Sequence, residues 1–399
     1  MLLSGCGDGG GAGVGGLVGA IGGEGERTAG LVVYVTNSGA NSVSGYTVNS
    51  SSGGLTTLAG SPFLGIPTPS AIAVSSDGLF AYVANNQTNQ VTAFRIGTNG
   101  TLVLGDSTSG NRNPVSVGTT PRALVISKDS QFLYVANSGS DDVTVFKIGA
   151  GGVLTLVPQA EGRPSKPIGE GVSSPIALAV SPNGKFLYVA TNTSNMITTF
   201  QVDSSGVLTL VQPTGPAKNP IASGGTGLTA IALAPPNGQF LYVTNETSNN
   251  VTVFRVESSG LLTLVPSASS NPLPTGGTNP NALAVASDGT HVYIANGSGT
   301  VSTFSIGSNG VLALVPPSGA SQNPAPVLPA GSTPVALTTS PDGQFLYVAN
   351  RTTSDSGGTV LAYTIVPEAG TLVPLTPVLR NPFPAQSNPS AIVTFRQTP

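Results

Sequence analysis

Seven of the nine tyrosines in this 399-residue chain occupy one recurring phrase, written out most fully as "SPDGQFLYVAN" at residues 340–350. They are Tyr34, Tyr82, Tyr134, Tyr188, Tyr242, Tyr293 and Tyr347, with successive spacings of 48, 52, 54, 54, 51 and 54 residues. A period near 50 means that one supersecondary unit is repeated, and no such unit can bury its apolar faces alone. Each copy holds four short apolar runs. In the third copy these are "ALVI" (123–126), "FLYVAN" (132–137), "VTVFKI" (143–148) and "LTLV" (154–157). Asp-Gly or Asn-Gly turns and loops rich in Asn, Ser and Thr separate them. The runs are β-branched and aromatic and only four to six residues long, so they read as strands. An aromatic recurs in every third run, at Tyr46, Phe94, Phe146, Phe200, Phe254, Phe304 and Tyr363.

Four strands of about five residues gain stability only by stacking sheet on sheet. A ring of such sheets covers both faces of each, which predicts an all-β chain folded as a seven-bladed β-propeller with four antiparallel strands per blade. A parallel β-helix would need much shorter coils. The first copy starts at "LVVYVTN" without a first run, and the C-terminus supplies one, "NPSAIVTF" at 388–395. Blade one is therefore expected to be completed by the tail, which closes the ring and removes an aggregation-prone edge. The alanine-rich first runs should lie innermost, where seven blades crowd together. The fifth copy, "AIALAPPNG", is one residue longer than its siblings, and a bulge at Pro235 and Pro236 is expected.

Charged residues make up only 8% of the chain, but hydrophobic ones reach 39% and mean hydropathy is +0.21, which argues against disorder. Net charge is −3, with no cationic cluster to release counterions, so nucleic acid is not an expected partner. No run of 18 apolar residues could span a membrane as a helix. At the N-terminus "LLSGC", residues 2–6, resembles a bacterial lipobox, with the single cysteine, Cys6, as the lipid-bearing residue. A glycine-rich stretch follows, as a tether would. The expected organisation is thus a lipid-anchored start and tether at 1–30 and a propeller at 31–399. The expected setting is bacterial, exported to the cell envelope as a periplasmic or outer-membrane lipoprotein. The bland alternative for Cys6 is an inert thiol in a tail.

The phrases "YVTN" at 34–37 and 242–245 and "SPDG" at 340–343 make residues 31–396 resemble the YVTN-repeat propellers of the lactonase-like superfamily. That superfamily includes 6-phosphogluconolactonases and carboxymuconate cyclases. The resemblance implies a site at the mouth of a central funnel, built in the lactonases from a "PRH" ahead of an innermost strand and a glutamate after "YVVN". This chain keeps Pro121 and Arg122 and has Ala123 in place of the histidine. Its matching glutamate, Glu246, lies two blades away.

Repeat logic puts seven residues at the start of the innermost strands: Ser70, Arg122, Ile176, Thr229, Asn281, Val335 and Ser390. Loops between the second and third strands add Asp141, Asp142, Glu246, Arg351 and Asp355 on the same face. Asp141 and Asp142 form the only adjacent acidic pair, read as a solvated turn because no calcium-loop spacing surrounds them. The one histidine, His291, aligns with Phe80, Phe132, Phe186, Phe240 and Phe345, so it is expected to replace an aromatic at the opposite face. No zinc spacing, nucleophile elbow or phosphate loop occurs, and no metal or cofactor is expected. The leading functional expectation is a monomeric binding or scaffold module without an intact catalytic site. Its partner would be a small molecule, glycan or protein at the funnel face. The alternatives are a lactonase-type hydrolase using Arg122 and Glu246, and a structural envelope or adhesion protein.

Overall fold

A computed structural model of the chain describes residues 30–397 apart from 106–112, 160–164, 168–173, 214–217, 267–270, 317–322, 327–331, 353–356 and 376–380. Cys6, the glycine-rich stretch and Asp355 lie outside the described residues. The architecture is all-β, with seven sheets arranged as the blades of a propeller. In blade three the strands run Pro121–Ile126, Phe132–Asn137, Asp142–Ile148 and Leu154–Leu156, antiparallel and in sequence order from the axis outward.

Blade one is assembled from both ends of the chain. Leu31–Asn37 pairs on one side with Ser42–Val48 and on the other with Pro389–Arg396, with Tyr34 opposite Val393. Each innermost strand touches the next around the circle, and Pro389–Arg396 touches both Thr333–Thr339 and Pro69–Val74, so the ring is closed.

Because both faces of a blade are covered, the second strand does not alternate between inside and outside. All six residues of Phe132–Asn137 are buried. Each interface is an apolar layer such as Tyr188, Ala190 and Ile197 of blade four against Leu241, Val243 and Phe254 of blade five. Every such buried aliphatic or aromatic side chain stabilises the ring by roughly 2 kcal/mol.

The repeated tyrosine has a second role. Its ring is fully buried, and its hydroxyl crosses to the next blade and donates to a glycine carbonyl in the turn between the third and outer strands. Tyr188 reaches Gly260 (3.1 Å) and Tyr347 reaches Gly53 (2.9 Å). Phenylalanine could not make that bond. The accepting glycine is also required locally. Gly310 has φ +80°, and a Cβ there would stand 2.2 Å from the Phe240 ring. Two joints differ. At Tyr134 the Gln159 carboxamide takes up the Gly206 carbonyl (3.5 Å) and the Leu208 N–H (2.8 Å). At Tyr293 the facing turn, 366–370, is one residue longer than its counterparts. Neither hydroxyl has a hydrogen-bond partner.

Two features go beyond the expected blade. The outer strand is interrupted, and a short second piece pairs with the start of the third strand, as Ile221–Ala222 does with Met196 and Ile197. The gap is bridged by an asparagine side chain. Asn219 Nδ2 donates to the carbonyls of Thr199 and Val211 (2.8 Å each), and its Oδ1 accepts from the Thr199 N–H (2.8 Å). Asn113, Asn271, Asn323 and Asn381 repeat the arrangement, and Ser61 accepts from Gly45 N–H in blade one. The second feature corrects the expected bulge at Pro235–Pro236. Leu233 pairs with Leu241 as Val180 pairs with Leu187, so the extra residue sits in the turn and leaves the ladder in register.

Candidate functional site at the funnel mouth

The ladder between the innermost and second strands skips one residue in every blade. In blade two Pro69 faces Asn85 and Ala71 faces Ala84, so Ser70 is the extra residue of a β-bulge. The same skip falls on Arg122, Ile176, Thr229, Asn281, Val335 and Ser390. A bulge frees its residue from the alternation of the strand and re-aims it. Here it turns a ring of side chains toward the axis.

Most of these side chains are already engaged. Ser390 Oγ donates to the Pro69 carbonyl (2.6 Å), Ser70 Oγ to Pro121 (2.7 Å), Thr229 Oγ1 to Pro280 (2.7 Å) and Asn281 Nδ2 to Pro334 (3.1 Å). Each bond runs from one blade to the backbone of the next. Where the bulge residue is aliphatic, the residue after the one that faces the preceding proline across the ladder supplies the donor instead. Asn192 takes over from Ile176, reaching the Leu228 carbonyl (2.7 Å), and Arg351 Nε takes over from Val335, reaching Pro389 (3.2 Å). The result is a belt of hydrogen bonds with one open link, between blades three and four. Arg122 occupies that link. It is exposed, and its guanidinium has neither a hydrogen bond nor an ion pair among the described residues.

Ser70, Arg122, Ile176, Thr229, Asn281, Ser390 and Arg351 line a single cavity of about 630 Å³, open at one face. Val335, Glu246, Asp141 and Asp142 are not part of its lining. The aspartates have other work. Asp141, with φ 56°, turns the chain before the third strand, as Asn41, Asn89, Asn195 and Asn249 do in their blades. Its Oδ1 accepts from the Ser174 N–H at 2.6 Å. Asp142 is buried and accepts from Asn137 Nδ2 (2.7 Å) and Ser140 Oγ (3.1 Å). Asp142 is thus a built corner of the blade, while Asp141 stays exposed to solvent as expected. Glu246 is half-buried in the equivalent corner of blade five, where its N–H donates to the Gly227 carbonyl (2.7 Å).

Sequence reasoning missed a second set of lining residues, Ser38, Asn86, Ser138 and Asn192, which follow the second strands of blades one to four. Arg351 is their counterpart, so the repeat alignment that placed Arg351 could have found its siblings. Among the described residues the lining carries two cations, several hydroxyls and amides, and no carboxylate or imidazole. That set can neutralise an anion and hydrogen-bond a polyol. No group of three or more His, Cys, Asp or Glu residues gathers as a metal site among the described residues.

His291 opens the strand His291–Asn296 at the other end of its blade, is buried, and lies against Gly370 as the sibling phenylalanines lie against their glycines. Thr290 Oγ1 stands 2.7 Å from its Nδ1. Burial holds its imidazole below the ordinary value, against smaller upward pulls from Asp288 and the Ala369 backbone.

The profile of the family described as "Lactonase, 7-bladed beta-propeller" matches residues 27–167, 152–219 and 173–329. A protein of Arthroderma benhamiae named "Probable 6-phosphogluconolactonase" is 27% identical over 239 residues, which span 57% of this chain and 57% of that protein. The chain therefore matches under two thirds of that relative's length. Among solved structures, a periplasmic gluconolactonase of Pseudomonas aeruginosa superposes with a TM-score of 0.67 at 19% identity, covering 92% of this chain and 99% of that one. A protein from Lactobacillus plantarum superposes with a TM-score of 0.70 at 18% identity, covering 92% and 100%. At these identities the superpositions show a shared fold.

Proposed function

The chain belongs to the lactonase family of seven-bladed β-propellers, and from that premise we propose that its central cavity binds a small polyhydroxylated anion, such as a sugar acid, with Arg122 as the anion receptor. One observation carries the reading: Arg122 is the only bulge residue with a hydrogen-bonding side chain that stays out of the belt, and it opens into a polar cavity with no carboxylate among its described lining residues. A guanidinium presents a planar fork that fits a carboxylate or phosphate in two parallel bonds, and the hydroxyl and amide groups beside it suit a sugar's hydroxyls. A charge-assisted bond of this kind contributes about 1.5–3 kcal/mol. Gluconate should bind in a calorimetric titration, glucitol should not, and Arg122→Ala should abolish the gluconate signal while leaving the melting temperature unchanged. Equal binding by Arg122→Ala would refute the assignment.

A second reading, lactone hydrolysis, is favoured by the family match and by Arg122 following Pro121 as in the lactonase motif. Arg122 would polarise the lactone carbonyl, water would add to it, and the ring C–O bond would break with a proton passing to the departing oxygen. Glu246, the carboxylate this reading would use, lies outside the cavity lining, so binding without turnover is the preferred reading. Turnover of a lactone panel, lost in Arg122→Ala, would reverse that preference. Export and lipid attachment are proposed on "LLSGC" alone; palmitate incorporation that persists in Cys6→Ala would reject the anchor.

A further inference from the structure

We propose that a hollow between blades six and seven, at the face opposite the funnel, binds a short amino alcohol, with its ammonium group at Asp288 and Glu368 and its hydroxyl at Tyr293. The proposal goes beyond the anion-binding reading and does not depend on it. The hollow measures about 230 Å³, room for roughly seven water volumes. It lies where the repeat departs from its own pattern. His291 stands where Phe80, Phe132, Phe186, Phe240 and Phe345 stand in their blades. Ala286 stands where Ser75, Ser127, Ser181 and Ser340 accept a hydrogen bond from the sibling phenylalanine's N–H. Tyr293 is fully buried and walls the hollow, and its hydroxyl has no partner. Tyr34, Tyr82, Tyr188, Tyr242 and Tyr347 all reach a glycine carbonyl of the next blade. The other unpartnered sibling, Tyr134, faces a joint where Gln159 takes up the glycine carbonyl. At Tyr293 the hollow occupies that place.

The rim of the hollow is acidic. Asp342 is held by Arg396 (3.5 Å), whereas Asp288 and Glu368 are exposed and form no ion pair among the described residues. Thr290 donates its N–H (2.9 Å) and its hydroxyl (2.7 Å) to Asp288 Oδ1, which leaves Oδ2 for a ligand. Such carboxylates repel an anion and offer a protonated amine charge-assisted bonds. Burial keeps His291 neutral near pH 7, so the wall adds no competing cation. Between rim and floor the wall is apolar, from Ala286, Ile365 and Pro367, and accepts an aliphatic chain. At the floor, the buried Tyr293 hydroxyl is destabilising until a polar group meets it. A ligand hydroxyl both donates and accepts, so it satisfies the phenol in either sense.

The test compares three probes with the same four-carbon chain: 4-aminobutanol, butylamine and 1,4-butanediol. None is an anion, so the outcome is separate from that of the funnel site. In ligand-detected NMR titrations of the full chain near neutral pH, 4-aminobutanol should bind about fivefold tighter than butylamine, the effect of one neutral hydrogen bond. The diol should not bind. Tyr293→Phe should lower 4-aminobutanol to butylamine's affinity and leave butylamine unchanged. Asp288→Asn combined with Glu368→Gln should weaken both amines by roughly tenfold, the loss of charge-assisted contacts. A native melting temperature in each variant checks that the blade is intact. Equal binding of the two amines, equal weakening of both by Tyr293→Phe, or a diol that binds as well as the amines would overturn the proposal. If neither amine binds the full chain, the hollow holds water alone and the proposal fails.

Discussion

Arg351 Nε donates to the carbonyl of Pro389 at 3.2 Å, joining blade seven to the strand from the chain's C-terminus that completes blade one. The ring's one join without a covalent connection lies next to it, inside blade one, where Pro389–Arg396 pairs with Leu31–Asn37. Removing residues 389–399 would expose an edge of Leu31–Asn37 and strip the cover from Ile392's side of the core. The truncated chain is expected to melt at a much lower temperature in a single shifted transition by differential scanning calorimetry. A native melt with only local fraying would argue against closure as the source of stability.

The open link at Arg122 sets up a trade between binding and stability. Arg122→Ser places a hydroxyl where Ser70 and Ser390 already reach the following blade's carbonyl. The variant is expected to gain about 1 kcal/mol in denaturant unfolding, one net intramolecular hydrogen bond, and to lose anion binding. A variant no more stable than the native chain would mean that the belt bonds contribute little.

Asn219 supplies three hydrogen bonds that span the break in the outer strand of blade four. Asn219→Ala leaves the buried Thr199 N–H without a partner and removes a donor from the Thr199 and Val211 carbonyls, while the Val211 N–H still reaches the Thr199 carbonyl (3.1 Å), so a loss of roughly 2–3 kcal/mol is expected in urea titration. The preceding residue, Lys218, is exposed. Its alanine variant is expected to stay within about 0.5 kcal/mol of the native chain.

Two tyrosines of the same repeat position should respond in opposite ways. Tyr188→Phe removes the bond to Gly260 and should cost about 1 kcal/mol. Tyr134→Phe removes a buried hydroxyl that has no partner, and should be neutral or stabilising. Equal losses in the two variants would contradict the joint geometry.

Acidification should weaken the fold through His291. Its imidazole sits below the ordinary 6.5 in the folded chain because of burial. Asp288, Asp342 and Glu368 line the same small hollow. Below about pH 6.5 the unfolded chain binds the proton that the folded chain resists, so stability falls as pH falls from that value toward the folded imidazole's lower one. The siblings' residue, in His291→Phe, should flatten this part of the melting temperature–pH curve. An identical slope in native and variant chains would assign it to other groups.

The ring was legible in the chain because its causes are local and repeated. Strand length, β-branched runs, Asp-Gly turns and the orphan first strand at 388–395 each recur or complete a count of seven, so one register error would have shown against six other copies. Repeat alignment also located the bulge residues, since Ser70, Arg122 and Thr229 occupy one position by count alone. It could not see that they are bulges: a skipped residue is a property of pairing between two strands, and the periodicity of one strand carries no trace of it. Asp142 was placed on the right loop with the wrong freedom, because its partners, Asn137 and Ser140, are set by the turn's backbone and the blade's packing.

The sequence by itself determined seven blades, their closure and the single arginine at the starts of the innermost strands, since these follow from order and residue type. Only the tertiary structure decided which mouth residues are engaged and which is free. A hydroxyl reaching the next blade's carbonyl is a distance between segments some fifty residues apart, fixed by how the sheets stack around the axis.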